Sequence, residues 1–258
     1  MCLLFVSYKL TPGYPLALAA NRDEFYRRPT APLGFLDEGR SILGGRDLQG
    51  GGTWLGIGPD RRFAALTNYR HPASNRADAP SRGAIVLDYL LGSARAEDYL
   101  RQLSMKAAGY NGFNLVVGDG QGLFSFSSRQ PGYRRLEPGF YGLSNHLLDS
   151  PWPKVIRGKE LLRPHLVDRP NVEGVFAALG DRLQPEAGLL PDTGVGPDWE
   201  RLLSSIFISG ETYGTRSSAL ILVDELSGVD FYEKTHPIPP QQEAVMRHMS
   251  LPAQALLT

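Results

Sequence analysis

Met1-Cys2-Leu3-Leu4-Phe5-Val6-Ser7 is a short apolar run of strand formers, and it carries the only cysteine of the chain where removal of Met1 makes that cysteine N-terminal. An isolated thiol, with a pKa of about 8.5, is mostly protonated at neutral pH and is inert until something takes its proton. Loss of Met1 would supply the base within the same residue, because a free α-amino group has a pKa of about 7.7–8.0. A buried apolar cysteine that opens a strand satisfies the same residues, since free cysteine is among the most buried side chains. The surrounding chain has to choose between the two.

Working outward, residues 2–8 read as a strand closed by the turn signal Thr11-Pro12-Gly13-Tyr14-Pro15. Leu16 to Ala20 forms the return arm and delivers Asn21-Arg22-Asp23-Glu24 at its end, near Cys2. Pro29, Pro32 and Gly34 predict an irregular stretch after that. Gly50-Gly51-Gly52 lacks the lysine and following helix of a P-loop, so it reads as a tight turn or bulge before a strand at Trp54–Gly56. Arg62 to Tyr69 is a strand, His71 to Arg82 a polar surface loop, and Ser81 the expected cap of a helix from Gly83 to Leu91. Helical spacing recurs over 96–107, 152–166 and 172–183, with strands expected at 114–118, 123–128, 133–136 and 140–144. A short helix at 199–203, an extended piece at 206–208 and a hairpin of 217–223 with 229–233 complete the pattern; the proline-rich tail from His236 carries no readable rule.

Strands cluster at both ends and in the middle, with helices in two groups between them. That order predicts an α+β fold with two mostly antiparallel sheets flanked by helices, a four-layer αββα sandwich forming a single domain over residues 1–258. Lysine plus arginine equal aspartate plus glutamate at 27 each, so no global charge draws the chain to nucleic acid. No run approaches the ~20 apolar residues of a transmembrane helix, and the lone cysteine excludes an intramolecular disulfide or a multi-cysteine metal site. A reducing cytoplasm is the expected compartment.

Met1-Cys2, Ala19 to Phe25, Gly51 to Gly56, Leu66-Thr67-Asn68-Tyr69 and Tyr213 to Ser217 together resemble the NRDE family, which includes the transport and Golgi organisation proteins. That pattern is in turn similar to the cysteine-type N-terminal-nucleophile hydrolases, the penicillin V acylases and bile-salt hydrolases, which are αββα sandwiches. The second resemblance implies roles for Cys2, Asp23, Asn68, Asn145 and Arg216, which occur in the matching order. Cys2 would be the nucleophile and Asp23 would orient its α-amino group. Asn68 and Asn145 would donate to a developing oxyanion, at ~2.7–4 kcal/mol per donor, and Arg216 would favour the thiolate. The implied reaction is amide hydrolysis or acyl transfer through a thioester, on a small acyl substrate and with no cofactor. This chain departs from the hydrolases in having Ala20 three residues before the aspartate, where they carry arginine, and Arg22 beside Asp23 instead.

Asn21, Arg22 and Glu24 are candidate ligand contacts; for Arg22 and Glu24 an ion pair or solvated turn explains the charges equally well. The NRDE resemblance also implies a second role, binding or trafficking of haem or acyl-coenzyme A in the same pocket. Cys2 would then be a candidate iron ligand, with Arg22, Arg46, Arg70 or Arg216 meeting propionates or phosphates. Histidines 71, 146, 165, 236 and 248 are unpaired in sequence and no haem-attachment motif is present.

Overall fold

A computed structural model describes residues 2–58, 62–237 and 243–253. The first strand, β1 (Cys2–Thr11), turns at Pro12-Gly13 into β2 (Tyr14–Phe25). Gly13 has φ +77°, the left-handed conformation that a proline-initiated turn requires of its second central residue. The return strand is longer than the sequence suggests. Asn21 to Glu24 lie inside it, Asn21 and Arg22 paired with both β1 and β11, and Asp23 and Glu24 paired with β11.

The chain continues through β3 (Thr30–Phe35), β4 (Leu43–Asp47), β5 (Leu55–Ile57), β6 (Phe63–Asn68), α1 (Gly83–Leu91), α2 (Ala96–Lys106), β7 (Phe113–Asp119), β8 (Gly122–Ser127), β9 (Tyr133–Leu136) and β10 (Gly139–Leu143). Then come α3 (Pro153–Leu162), α4 (Val172–Leu179), α5 (Pro197–Leu202), β11 (Tyr213–Val223), β12 (Val229–Thr235) and β13 (Val245–Leu251). Among the described residues, one six-stranded sheet runs β10-β1-β2-β11-β12-β13 and one seven-stranded sheet runs β3 through β9 in chain order. All these pairings are antiparallel.

Three apolar cores define the layers. Leu4, Leu18, Leu55, Val116 and Ile221 pack between the sheets. Ile85, Leu100, Leu115 and Phe126 join α1 and α2 to the seven-stranded sheet. Leu3, Phe5, Val155, Val175 and Leu220 join α3 and α4 to the six-stranded one. Leu3 and Leu4 thus serve opposite faces of one strand, as a two-residue period demands. The αββα sandwich is therefore the observed architecture.

Several local expectations are corrected. Residues 30–35 and 43–47 are strands despite Pro32 and Gly34, because β3 lies at a sheet edge where a missing N–H costs no ladder bond. The tail holds β13, and residues 206–208 are irregular. Helix α1 starts without the Ser81 cap: the boundary residue is Arg82, with helical dihedrals, and no side chain caps the terminus.

Candidate active site

Antiparallel pairing of β1 with β2 sets Cys2 directly opposite Arg22. Alternation sends Cys2 and Arg22 toward the seven-stranded sheet and Asn21 and Asp23 toward the helices. A bulge in β11, between the Thr215–Asp23 and Ser217–Arg22 pairs, adjusts the ladder at that level. Cys2 is buried, and so is Arg22. Both border a cleft of about 420 Å³ that Asp23, Glu24, Asn68 and Arg82 also line. Grooves of about 360 and 370 Å³ exist elsewhere, so size does not single this cleft out; the thiol does.

Burial pushes the Cys2 thiol up to about 11, against the opposing pull of the Arg22 charge. Behind it, Asp23 is buried and accepts a 2.7 Å hydrogen bond from Thr215 Oγ1. Burial raises its carboxyl above the ordinary range, while the nearby Lys154 and Arg70 charges pull it back. Lys154, from the first turn of α3, is also buried and donates to the Leu203 carbonyl at 2.9 Å. Desolvation first, and then the Arg70 charge, bring its ammonium down to about 8. Arg70 and Glu200 form a buried ion pair at 2.8 Å, and Thr193 donates to the other Glu200 oxygen through both its N–H and its hydroxyl.

Asn145 follows β10 and is fully buried. Its Nδ2 donates to the Asn68 carbonyl at 3.0 Å, and its Oδ1 accepts from Arg70 Nη2 at 3.4 Å. One Nδ2 hydrogen is left over. Asn68 ends β6, half-buried, and lines the cleft.

Asn21 and Arg216 lie elsewhere. The Asn21 side chain faces the helix layer, donating to the Leu179 and Ile206 carbonyls at 2.9 Å and accepting from Ser218, so it ties layers together and does not line the cleft. Arg216 Nη1 donates to the carbonyls of Phe25, Tyr26 and Arg28, bracing the segment after β2. Arg22 and Glu24 do line the cleft and also enter ion pairs, Arg22 with Asp47 at 3.6 Å and Glu24 with Arg28 at 3.7 Å. Arg46 donates to the Leu36 carbonyl, outside the cleft lining. Met1, whose removal matters to the chemistry, lies outside the described residues.

The pattern of the family described as Transport and Golgi organisation 2 matches residues 1–237. This chain belongs to that family. The Transport and Golgi organization protein 2 homolog of Homo sapiens is 37% identical over 258 residues, covering 91% of this chain and 93% of the human protein. Transport and Golgi organization protein 2 of Drosophila melanogaster is 32% identical over 266 residues, with 91% and 92% covered. Among solved structures, a mutant conjugated bile acid hydrolase from Clostridium perfringens superposes with a TM-score of 0.52 at 9% identity, over 96% of this chain and 92% of that one. At that identity the likeness is one of fold, and it places this member of the Transport and Golgi organisation 2 family in the sandwich architecture of that hydrolase.

Lys154, Glu200 and Arg82 were not legible as site residues. Lys154 and Glu200 lie in segments whose spacing reads only as helix and Arg82 closes a polar surface loop, and only the packing of those segments over the strand ends turns them inward. Among the described residues, no three metal-ligating side chains converge, and no helix is long and apolar enough to cross a membrane.

Proposed function

We propose that the cleft is the active site of a cysteine-dependent amide hydrolase or acyl transferase. The observation that carries this reading is the pairing of Cys2 with Arg22 at a cleft wall, with buried Asp23 and Lys154 behind it. In the chain that keeps Met1 the thiol stays protonated. Once Met1 is removed, the α-amino group of Cys2 takes the thiol proton, Asp23 orients the resulting ammonium, and Arg22 favours the thiolate. The sulfur bonds to the substrate carbonyl carbon while the carbonyl electron pair moves to oxygen, where the Asn68 side chain donates; Asn145, fully buried and not among the cleft-lining residues, holds the Asn68 backbone from behind. Collapse breaks the C–N bond, the ammonium gives its proton to the leaving amine, and a thioester remains. Water, deprotonated by the same amine, releases the acid; an amine acceptor in its place gives acyl transfer.

Intact mass of the purified native protein, combined with an electrophilic acyl probe, tests this. Loss of one methionine and probe labelling abolished by Cys2→Ala are expected. Retention of Met1 with no labelling of wild type would sink the hydrolase reading.

The unactivated thiol of the Met1-retaining chain favours one second reading, a binding protein that uses the same cleft without chemistry. A haem macrocycle suits this lining poorly: Arg22, Asp23, Glu24, Arg28 and Asp47 line it, with no histidine among the described lining residues. An acyl thioester such as long-chain acyl-coenzyme A suits it better, and saturable binding of it by protein that retains Met1 is the expected result under this reading.

A further inference from the structure

The first turn of an α-helix leaves backbone N–H groups without intrahelical partners, and they carry the positive end of the helix dipole. Helix α1, nine residues long, begins at Gly83 with no capping side chain and no acidic residue in its first turn. Ser81, Arg82 and Gly83 border the Cys2 cleft, so this uncapped terminus belongs to its wall. Arg82 Nη1 donates to the Gly112 carbonyl at 3.0 Å, and no carboxylate among the described residues lies within ion-pair distance of its guanidinium.

A second, independent feature points the same way. Arg22 is 5% exposed and lines the same cleft, yet its Nη1 has no hydrogen-bond partner, and its Nη2 stands 3.6 Å from Asp47, beyond hydrogen-bond length. The acids nearby are already committed. Asp47 accepts from Arg28 Nε at 2.7 Å and from the N–H groups of Gln49 and Gly50; Glu24 accepts from the Phe25 N–H and pairs with Arg28. The formal charges lining the cleft balance, Arg22, Arg28 and Arg82 against Asp23, Glu24 and Asp47, but the Arg22 Nη1 donor and the first turn of α1 have no side-chain acceptor there.

We propose that the N-terminus of α1, Arg82 and Arg22 form an anion subsite beside Cys2, and that the substrate is an acyl compound bearing an oxyanion group, a carboxylate or a phosphate monoester. The assignment deepens the active-site reading and rests on the same cleft. A buried guanidinium with an unused donor is matched by an oxyanion, which accepts several hydrogen bonds at once.

Calorimetric titration of full-length Cys2→Ala protein separates the subsite from the chemistry, because it needs neither Met1 removal nor turnover. The probes are N-benzoylglycine, its neutral methyl ester, and inorganic phosphate. Saturable binding of N-benzoylglycine at least tenfold tighter than the ester assigns a carboxylate; binding of phosphate without N-benzoylglycine assigns a phosphorylated substrate. Arg82→Gln is expected to weaken the bound anion about tenfold, with Arg82→Lys recovering part of the loss. Ser81→Asp, on an exposed residue, is expected to hold or raise the melting temperature while weakening the anion, since its carboxylate would occupy the helix terminus. Equal binding of acid and ester with no response to phosphate would overturn the subsite, as would Arg82→Gln and Ser81→Asp proteins that are folded and bind the anion like the parent. Failure of the hydrolase reading alone would leave these titrations unchanged.

Discussion

Cys2 keeps its proton near neutral pH because burial pushes the thiol up to about 11. Alkylation of Met1-retaining protein by iodoacetamide should therefore be slow at pH 7–8 and climb about tenfold per pH unit toward that value, since only the thiolate reacts. A plateau reached below pH 9 would contradict it. Processed protein should plateau earlier, the α-amino group then being part of the same residue. Arg70 and Glu200 allow a second prediction at this scale. Their 2.8 Å pair is buried on both sides, so Glu200→Gln strands a buried guanidinium and should cost ~3–5 kcal/mol in urea unfolding. Replacing both partners, Arg70→Met with Glu200→Leu, should recover much of that loss.

At the scale of elements, the glycine-rich turn before β5 meets the start of α1. A Cβ on Gly52 would collide with the Gly83 backbone, and the Thr53 N–H donates to the Gly83 carbonyl at 3.3 Å. Gly52→Ala is expected to cost ~1–3 kcal/mol by overpacking and to shift the helix terminus; an unchanged unfolding midpoint would show that the turn yields freely. Periodicity read from the chain locates α1, α2 and α4 and most central strands, because their buried faces repeat regularly. It misses β3, β4 and β13: β3 and β13 are edge strands whose residues obey solvent and turn chemistry more than packing, and β4 is a short interior strand with two glycines and no alternating pattern. It places Asn21 to Glu24 at the end of the return arm, near Cys2, but not inside the strand, where tertiary partners such as Ser218, Thr215 and Asp47 satisfy them. Cys2 and Asp23 could be found because strand pairing joins neighbouring segments of chain. Lys154 and Glu200 could not, since their inward turn depends on how distant segments dock.

Across the whole molecule, the buried polar layer behind Cys2 makes stability depend on pH. The Lys154 ammonium falls from 10.5 to about 8 on folding, so between those values the unfolded chain binds the proton that the folded chain has lost, and stability rises with pH. Below pH 8 both states are protonated and the full penalty of burying the charge applies. The raised thiol has the opposite sign, with stability falling as pH rises from 9 to about 11. In a Cys2→Ala background the Lys154 contribution stands apart: stability should climb by roughly 2–3 kcal/mol between pH 8 and pH 10, and Lys154→Met should flatten that slope. Identical slopes in the two proteins would show that Lys154 titrates as it does in water.

The six-stranded sheet also sets an order of events during synthesis. Cys2 leaves the ribosome about 200 residues before Thr215, which donates to Asp23 in the layer behind it. At ~5–20 residues per second that interval is about 10–40 s. Throughout it the N-terminus has no completed sheet to enter. An aminopeptidase has that time to remove Met1, and the same time exposes the thiol to oxidants, before β11 closes over β2 and seals the site.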